Sequence, residues 1–465
     1  MFLSTLLLFT SNLLCSSANA SDNYIGMGPY QFNPQVSVSY EYRSNIFLTP
    51  QDTEGNATTG AGSVLINPVV KFKLDGSTIK VLAGSSYNAR IYLDNTYSDL
   101  NRFKDVQFIG SGRLFPNGKA GLQISETFVV SGREIESATD TTTVETGDGK
   151  DLAYVQAISS KTNLGLAFTP GPILSLNAGG SYGFQYVQNT SQTEDTENLN
   201  SKTDTGLYVD LHWKLLPKTT ILILGSRSSF DWDNNLLINP IPTIASLDSC
   251  QVISGDEPTD PSCYVGTPDG SSSNMKVGLS GQISDNLILK GIAGMSSNSY
   301  SEESVISAMD DKFGSGGYTS GERDTVTYGV TESMSGLDGI ISEVGFTYFY
   351  TEKQQFSLMY NRGNQDAFFT NYSIFREFKT THVWKPNVKT NVTNLFNLRF
   401  DNYYGAVQRN DIKLTYSGNV AYAFTKRLNG RLGLGYRELI NTQEEFQDQV
   451  TFRDLSFNAG LVWGY

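Results

Sequence analysis

DIKLTYSGNVAYAF, residues 411–424, is the stretch on which the fold turns. Its apolar members Ile412, Leu414, Tyr416, Val420, Tyr422 and Phe424 share one parity, while Lys413, Thr415, Ser417, Asn419, Ala421 and Ala423 take the other. A β-strand sends successive side chains to opposite faces, so this segment is a strand with one apolar and one polar side. In a soluble sandwich the apolar side packs on a second sheet. In a membrane barrel it faces lipid, and the polar side lines water. The same alternation recurs at Val36-Val38-Tyr40-Tyr42, Ile66-Pro68-Val70-Phe72-Leu74, Leu207-Val209-Leu211-Trp213, Phe356-Leu358-Tyr360 and Phe396-Leu398-Phe400. Each of these segments has about the length of a tilted bilayer crossing.

The connections alternate between short and long. Turn-forming pairs fall at Asp75-Gly76, Pro116-Asn117-Gly118, Pro170-Gly171, Pro217-Lys218, Asp285-Asn286, Glu352-Lys353, Pro386-Asn387 and Lys426 to Asn429. Long polar stretches lie between them at 49–60, 134–150, 190–202, 232–272 and 301–334. Short periplasmic turns and long outer loops are the rhythm of outer-membrane barrels. The reading is an all-β chain: one closed antiparallel transmembrane β-barrel of roughly eighteen strands, with sixteen the alternative count. No linker or repeat divides it, so residues 21–465 form a single domain. Aromatics at strand ends, such as Trp213, Trp384 and Tyr403-Tyr404, suit an interfacial girdle.

Composition agrees. The 465 residues include 44 Gly, 25 Tyr and 26 Phe, yet only 39% are hydrophobic, and the mean hydropathy is -0.27. High aromatic content without high hydropathy fits strands that are apolar on one side only. No stretch is long and apolar enough for a spanning helix. The net charge of -13 argues against nucleic acid as a partner. Much of the acid sits in expected loops, such as Glu194 to Glu197 and Glu302 to Asp311, where it keeps them soluble.

The first twenty residues, MFLSTLLLFTSNLLCSSANA, hold no charged side chain and end in Ala18-Asn19-Ala20, the small-x-small pattern of a cleaved signal peptide. The n-region departs from the usual pattern in lacking Lys and Arg. Cys15 raises a lipoprotein alternative, but Leu14 before it is larger than a lipidation motif holds. The remaining cysteines, Cys250 and Cys263, share one loop and are expected to pair as a disulfide in an oxidising compartment. No His or third Cys lies nearby, so metal is not expected there.

The carboxyl end is the sharpest motif. Asn458, Gly460, Trp463 and Tyr465 stand in the order polar-x-Gly-x-x-aromatic-x-aromatic, and Leu455, Phe457, Ala459, Leu461, Trp463 and Tyr465 alternate onto one face. This resembles the signal by which the barrel-assembly machinery reads a last strand, a recognition that strand addition to an exposed edge makes possible. The expected partners are that machinery, outer-membrane lipid and lipopolysaccharide, and the expected location is the bacterial outer membrane.

Three stretches resemble the family known as beta-barrel porin 2. They are GPYQFNPQVSVSYEYRSNIFLTP at 28–50, LHWKLLPKTTILILGSRSSFDWD at 211–233, and LGYRELINT at 434–442 followed by a final strand. The resemblance extends thinly over most of residues 21–465. It implies a porin-like conduit for secreted exopolysaccharide, with polysaccharide or periplasmic export components as partners. A general diffusion porin and a surface scaffold for adhesion are the alternatives. The loop holding Cys250 and Cys263 departs from the family and would plug or cap the pore.

An outer-membrane enzyme is disfavoured. Hydrolytic barrels need a base beside a nucleophile or an acid pair, and the chain offers only His212 and His382, both near expected periplasmic turns. No phosphate loop, HExxH or CxxC occurs, and no cofactor is expected. Alternation also sends Arg43, Lys71, Lys73, Arg399, Lys413, Arg431 and Arg437 to the polar face of the first and last strands, which closure makes neighbours. Such a basic wall would favour anions. Glu41, Asp401 and Asp454 share that face, so the alternative is a network of ion pairs that stiffens the wall.

Overall fold

The computed structural model describes residues 25–27, 29–45, 60–95, 104–134, 154–188, 201–238, 264–326, 334, 336–366, 372–404, 409–442 and 451–464. The expected signal peptide, Cys250, Cys263 and Tyr465 lie outside them. The described chain is a closed antiparallel barrel of eighteen strands. In chain order they are β1 (Tyr30–Arg43), β2 (Ala61–Asp75), β3 (Ile79–Tyr92), β4 (Lys104–Leu114), β5 (Ala120–Glu134), β6 (Tyr154–Phe168), β7 (Leu174–Gln188), β8 (Lys202–Leu216) and β9 (Thr219–Trp232). The second half is β10 (Gly270–Ser284), β11 (Leu287–Tyr300), β12 (Ile340–Thr351), β13 (Gln354–Asp366), β14 (Tyr372–Asn387), β15 (Thr390–Tyr404), β16 (Asn410–Ala423), β17 (Leu428–Asn441) and β18 (Phe452–Gly464). Each strand pairs with the next, and β18 pairs with β1 from Gln35↔Gly464 to Arg43↔Ser456.

That seam is close-packed. A Cβ on Gly460 would lie 2.5 Å from the Ser39 Cβ and 2.8 Å from the Val38 oxygen, so only glycine fits there. Beyond Gly464, the short strand Ile25–Met27 pairs with Tyr30–Phe32 on the edge that β18 leaves uncovered. An unpaired edge is what barrel closure must avoid in lipid.

Parity sets the faces. On β1 the even residues Val36, Val38, Tyr40 and Tyr42 are exposed on the outer surface, while Asn33, Gln35 and Arg43 are buried on the inner one. Trp213, Trp384 and Trp463 sit exposed near the short-turn end of their strands, where a girdle would lie. An acid midway along a strand departs from the outward apolar pattern. Glu126, on β5, shares that face with Ser160 and Thr162, whose hydroxyls both donate to its carboxylate.

The expected short turns fall at the junctions of consecutive strands, with two shifts; the last turn ends at Arg427, since Leu428 and Asn429 already belong to β17. The β14–β15 turn is at Val388-Lys389, and Pro386-Asn387 ends β14 beyond a bulge after Trp384. A bulge leaves a residue out of the ladder, so Pro386 is tolerated there. The longest connections carry structure that polarity alone does not suggest. Leu236–Ile238 pairs with Tyr264–Gly266, and two helices, α1 (Glu302–Phe313) and α2 (Ser320–Val326), follow β11. Leu236, Tyr264, Val305, Met309 and Val326 bury a small core between them at the long-loop end.

Candidate functional site: the interior wall

All seven basic residues expected on the polar face point into the barrel. The pairing registers place Arg43, Lys71, Lys73, Arg399, Lys413, Arg431 and Arg437 on the same side as Ser39, Asn67, Asn397 and Asn458. Four of them belong to two buried clusters near the long-loop end. Asp454, 1% exposed, takes Arg43 from β1 at 2.9 Å and Arg437 from β17 at 3.1 Å. Its second oxygen accepts from the Asn45 amide at 3.2 Å. One carboxylate on β18 therefore binds both neighbouring strands across the seam. Charge-assisted bonds of this kind are short and directional.

The second cluster centres on Asp401, whose side chain is fully buried. Arg399 lies 2.6 Å from it and Lys413 3.7 Å. The Arg399 guanidinium also covers the Phe375 ring at 4.3 Å. Next to it, Asp411 takes Arg409 at 3.0 Å and the Asn441 amide at 2.8 Å. Arg409 and Asp411 were not among the sequence candidates. Alternation on β16 put Asp411 on the polar face, but Arg409 precedes the strand and has no parity to read.

The other three candidates are more dispersed. Lys73 stands 3.7 Å from Asp75 near a short turn, in an exposed pair. Lys71 is buried opposite Gly84, and Arg431 faces Ala421 and Gly460. Other interior positions add Lys80, Arg113, Lys161, Lys202, Lys276, Lys290 and Lys379. Among described strand residues, basic side chains outnumber acidic ones on the inner face, although the chain as a whole carries -13. The acid lies elsewhere, largely in the connections.

His212 faces the interior between Ser175 and Leu222. His382 faces outward beside Trp384, with the Gln354 and Asn394 side-chain nitrogens 3.2 and 3.4 Å from its ring nitrogens. Of the assembly-signal residues, Asn458 and Gly460 face inward at the seam and Trp463 faces outward.

No family model matches the chain, and no curated protein is similar to it. Solved structures are. The FrpB iron transporter from Neisseria meningitidis shares 9% identity over 93% of this chain and 81% of its own, with a TM-score of 0.47. The copper transporter OprC shares 8% over 90% of this chain and 63% of its own, with a TM-score of 0.45. A bacterial polysaccharide outer membrane secretin shares 8% over 93% of this chain and 98% of its own, with a TM-score of 0.32.

Proposed function

We propose that this chain is a porin-like channel of the bacterial outer membrane that favours anionic solutes, with secreted exopolysaccharide as its cargo. The membrane part rests on a closed barrel whose outer surface is predominantly apolar by alternation. The channel part rests on size: barrels of 16–18 strands enclose an aqueous lumen rather than a packed core. The Lys73 side chain, 42% exposed, and that of Arg437, 37% exposed, suit a solvent-filled interior.

The observation that carries the anion preference is the basic inner face within an acidic protein. Low-dielectric walls around like charges focus the field and concentrate counter-ions. The cargo rests on the resemblance of residues 28–50, 211–233 and 434–442 to beta-barrel porin 2 proteins.

Single-channel recording of the refolded protein in a planar bilayer tests this reading. A salt gradient gives the selectivity, and recordings with and without reductant probe the loop that holds Cys250 and Cys263. The reading expects open channels, in either redox state, with a reversal potential on the anion side. It also expects block by acidic oligosaccharides at concentrations where neutral ones of equal length pass. Cation preference, or silence in both redox states, would overturn it.

A further inference from the structure

The inner face holds a second basic region, at the opposite end of the barrel from the buried clusters. Two cross-strand rows build it. Asp75, Lys80, Arg113 and Gln123 are successive register partners across β2 to β5. The adjacent row runs Lys73, Leu82, Ser111, Ser125 and Asn163. Together with Tyr208 they line a recess of about 530 Å³, large enough for a small solute.

The polar groups of this recess are unevenly satisfied. Asp75 takes Lys80 at 3.2 Å and Lys73 at 3.7 Å, but all three side chains are more than 40% exposed. Ion pairs so exposed are weak and exchange readily. Arg113 differs: its Nε is buried and has no hydrogen-bond partner. The Oδ1 of Asn163 is in the same condition, while its Nδ2 donates to Ser125 Oγ at 3.2 Å. A buried donor of this kind is unfavourable until something accepts from it.

Tyr208 completes the wall by an unusual route. Gly165, Gly179 and Tyr208 are register partners on β6, β7 and β8. The Tyr208 hydroxyl occupies the space that a Cβ at either glycine would need. The ring therefore lies along the sheet over two residues without side chains, and its hydroxyl reaches the recess edge.

We infer that this recess binds an oxyanion carried on a ring, the phosphate or carboxylate of an acidic sugar. A guanidinium pairs with an oxyanion through parallel N–H bonds, and Lys73 and Lys80 supply further charge. Gln123, Ser111, Ser125 and Asn163 are donors and acceptors suited to sugar hydroxyls. The Tyr208 ring offers an apolar face against which a sugar ring packs. The inference deepens the channel reading and rests on it, because the recess opens into the lumen.

Isothermal titration calorimetry on the refolded full chain in detergent tests it without requiring conduction. Failure of the recess is thus distinguishable from failure of the channel. The probes are glucose 6-phosphate, glucuronate, inorganic phosphate and glucose. Both acidic sugars should bind more tightly than glucose, and their ratio tells phosphate from carboxylate. Arg113→Gln should weaken both by about tenfold, the effect of one charge-assisted bond. Arg113→Lys, which keeps the charge and loses the paired geometry, should fall between. Tyr208→Leu should weaken the acidic sugars and leave inorganic phosphate unchanged. Binding that Arg113→Gln and Arg113→Lys both leave at full strength, or no binding of either acidic sugar at millimolar concentration, would overturn the site.

Discussion

At the closing seam Asp454 is 1% exposed and shares two arginines; at the recess Asp75 is 43% exposed and shares two lysines. Residue types and net charge are nearly the same in the two places. Burial of the acid separates them. At the seam Asp454 and Arg43 have left water and must keep each other, because losing one strands the other, while Arg437, 37% exposed, joins them from the lumen side. At the recess each charge keeps much of its hydration, and the pairing is weak. The first arrangement fastens strands together. The second leaves its cations free to exchange Asp75 for a dissolved anion. The two roles expected of the basic face, anion attraction and wall stiffening, are thus proposed for different parts of the wall.

The sharpest way to break this distinction is Asp454→Ala. It leaves Arg43 and Arg437 near the seam without their shared acid and should cost about 3–5 kcal/mol in denaturant unfolding of the refolded barrel. A loss below about 1 kcal/mol would put the seam in the same class as the exposed pairs. Gly165→Ala should follow at about 1–3 kcal/mol, as an overpacked position. The nearest backbone atom to the new methyl is the Ala178 oxygen at 3.4 Å, so the group that must yield is Tyr208. The same variant should reduce acidic-sugar binding while the charges stay in place. Unchanged binding and stability together would show that Tyr208 has room the geometry denies it.

How much of this was legible in the sequence depends on the range of the interaction. Strand faces are local: parity at Ile412, Leu414 and Tyr416 assigns β16, and the same rule correctly sent Arg43, Lys413 and Arg437 inward. Turns marked by Pro, Gly and Asn are local as well. The partners are not. Arg43 and Asp454 stand 411 positions apart and meet only because the barrel closes. The recess was missed for a related reason. Arg113 borders the Pro116 turn and reads as a turn flank, and Tyr208 meets Gly165 only through the combined register of β6, β7 and β8. The helix α1 was hidden inside a stretch read as a polar loop. Its signal was present: Ser301 caps a first turn holding Glu302 and Glu303, and Val305 and Met309 lie one turn apart.

Ion selectivity sharpens the comparison at smaller amplitude. Replacing Arg399, Lys413 and Arg437 with Ser should shift the reversal potential towards cations, and so should replacing Lys73, Lys80 and Arg113 with Gln. Each shift should be about tenfold in permeability ratio, at the low end of what a charged cleft does to local ion concentration. The two variants should part in stability. The first unpairs Asp401 and thins the coordination of Asp454, so unfolding should move with selectivity. The second should change selectivity alone. If neither triple moves the reversal potential, the basic face is structural throughout.

The smallest effect is the most exacting test. Lys80→Gln removes the nearer partner of Asp75, at 3.2 Å, from a pair in which both side chains are more than 40% exposed. Unfolding should change by no more than about 0.5 kcal/mol. Phosphate affinity should still fall measurably, because a dissolved anion in the recess meets the same cation from its hydrated side. A stability loss comparable to that of Asp454→Ala would mean that Asp75 holds the β2–β3 turn as Asp454 holds the seam. Lys73 and Lys80 would then be bound too firmly to receive a ligand. Near-neutral stability with weakened binding is the result that assigns the exposed cations to the solute and the buried ones to the barrel.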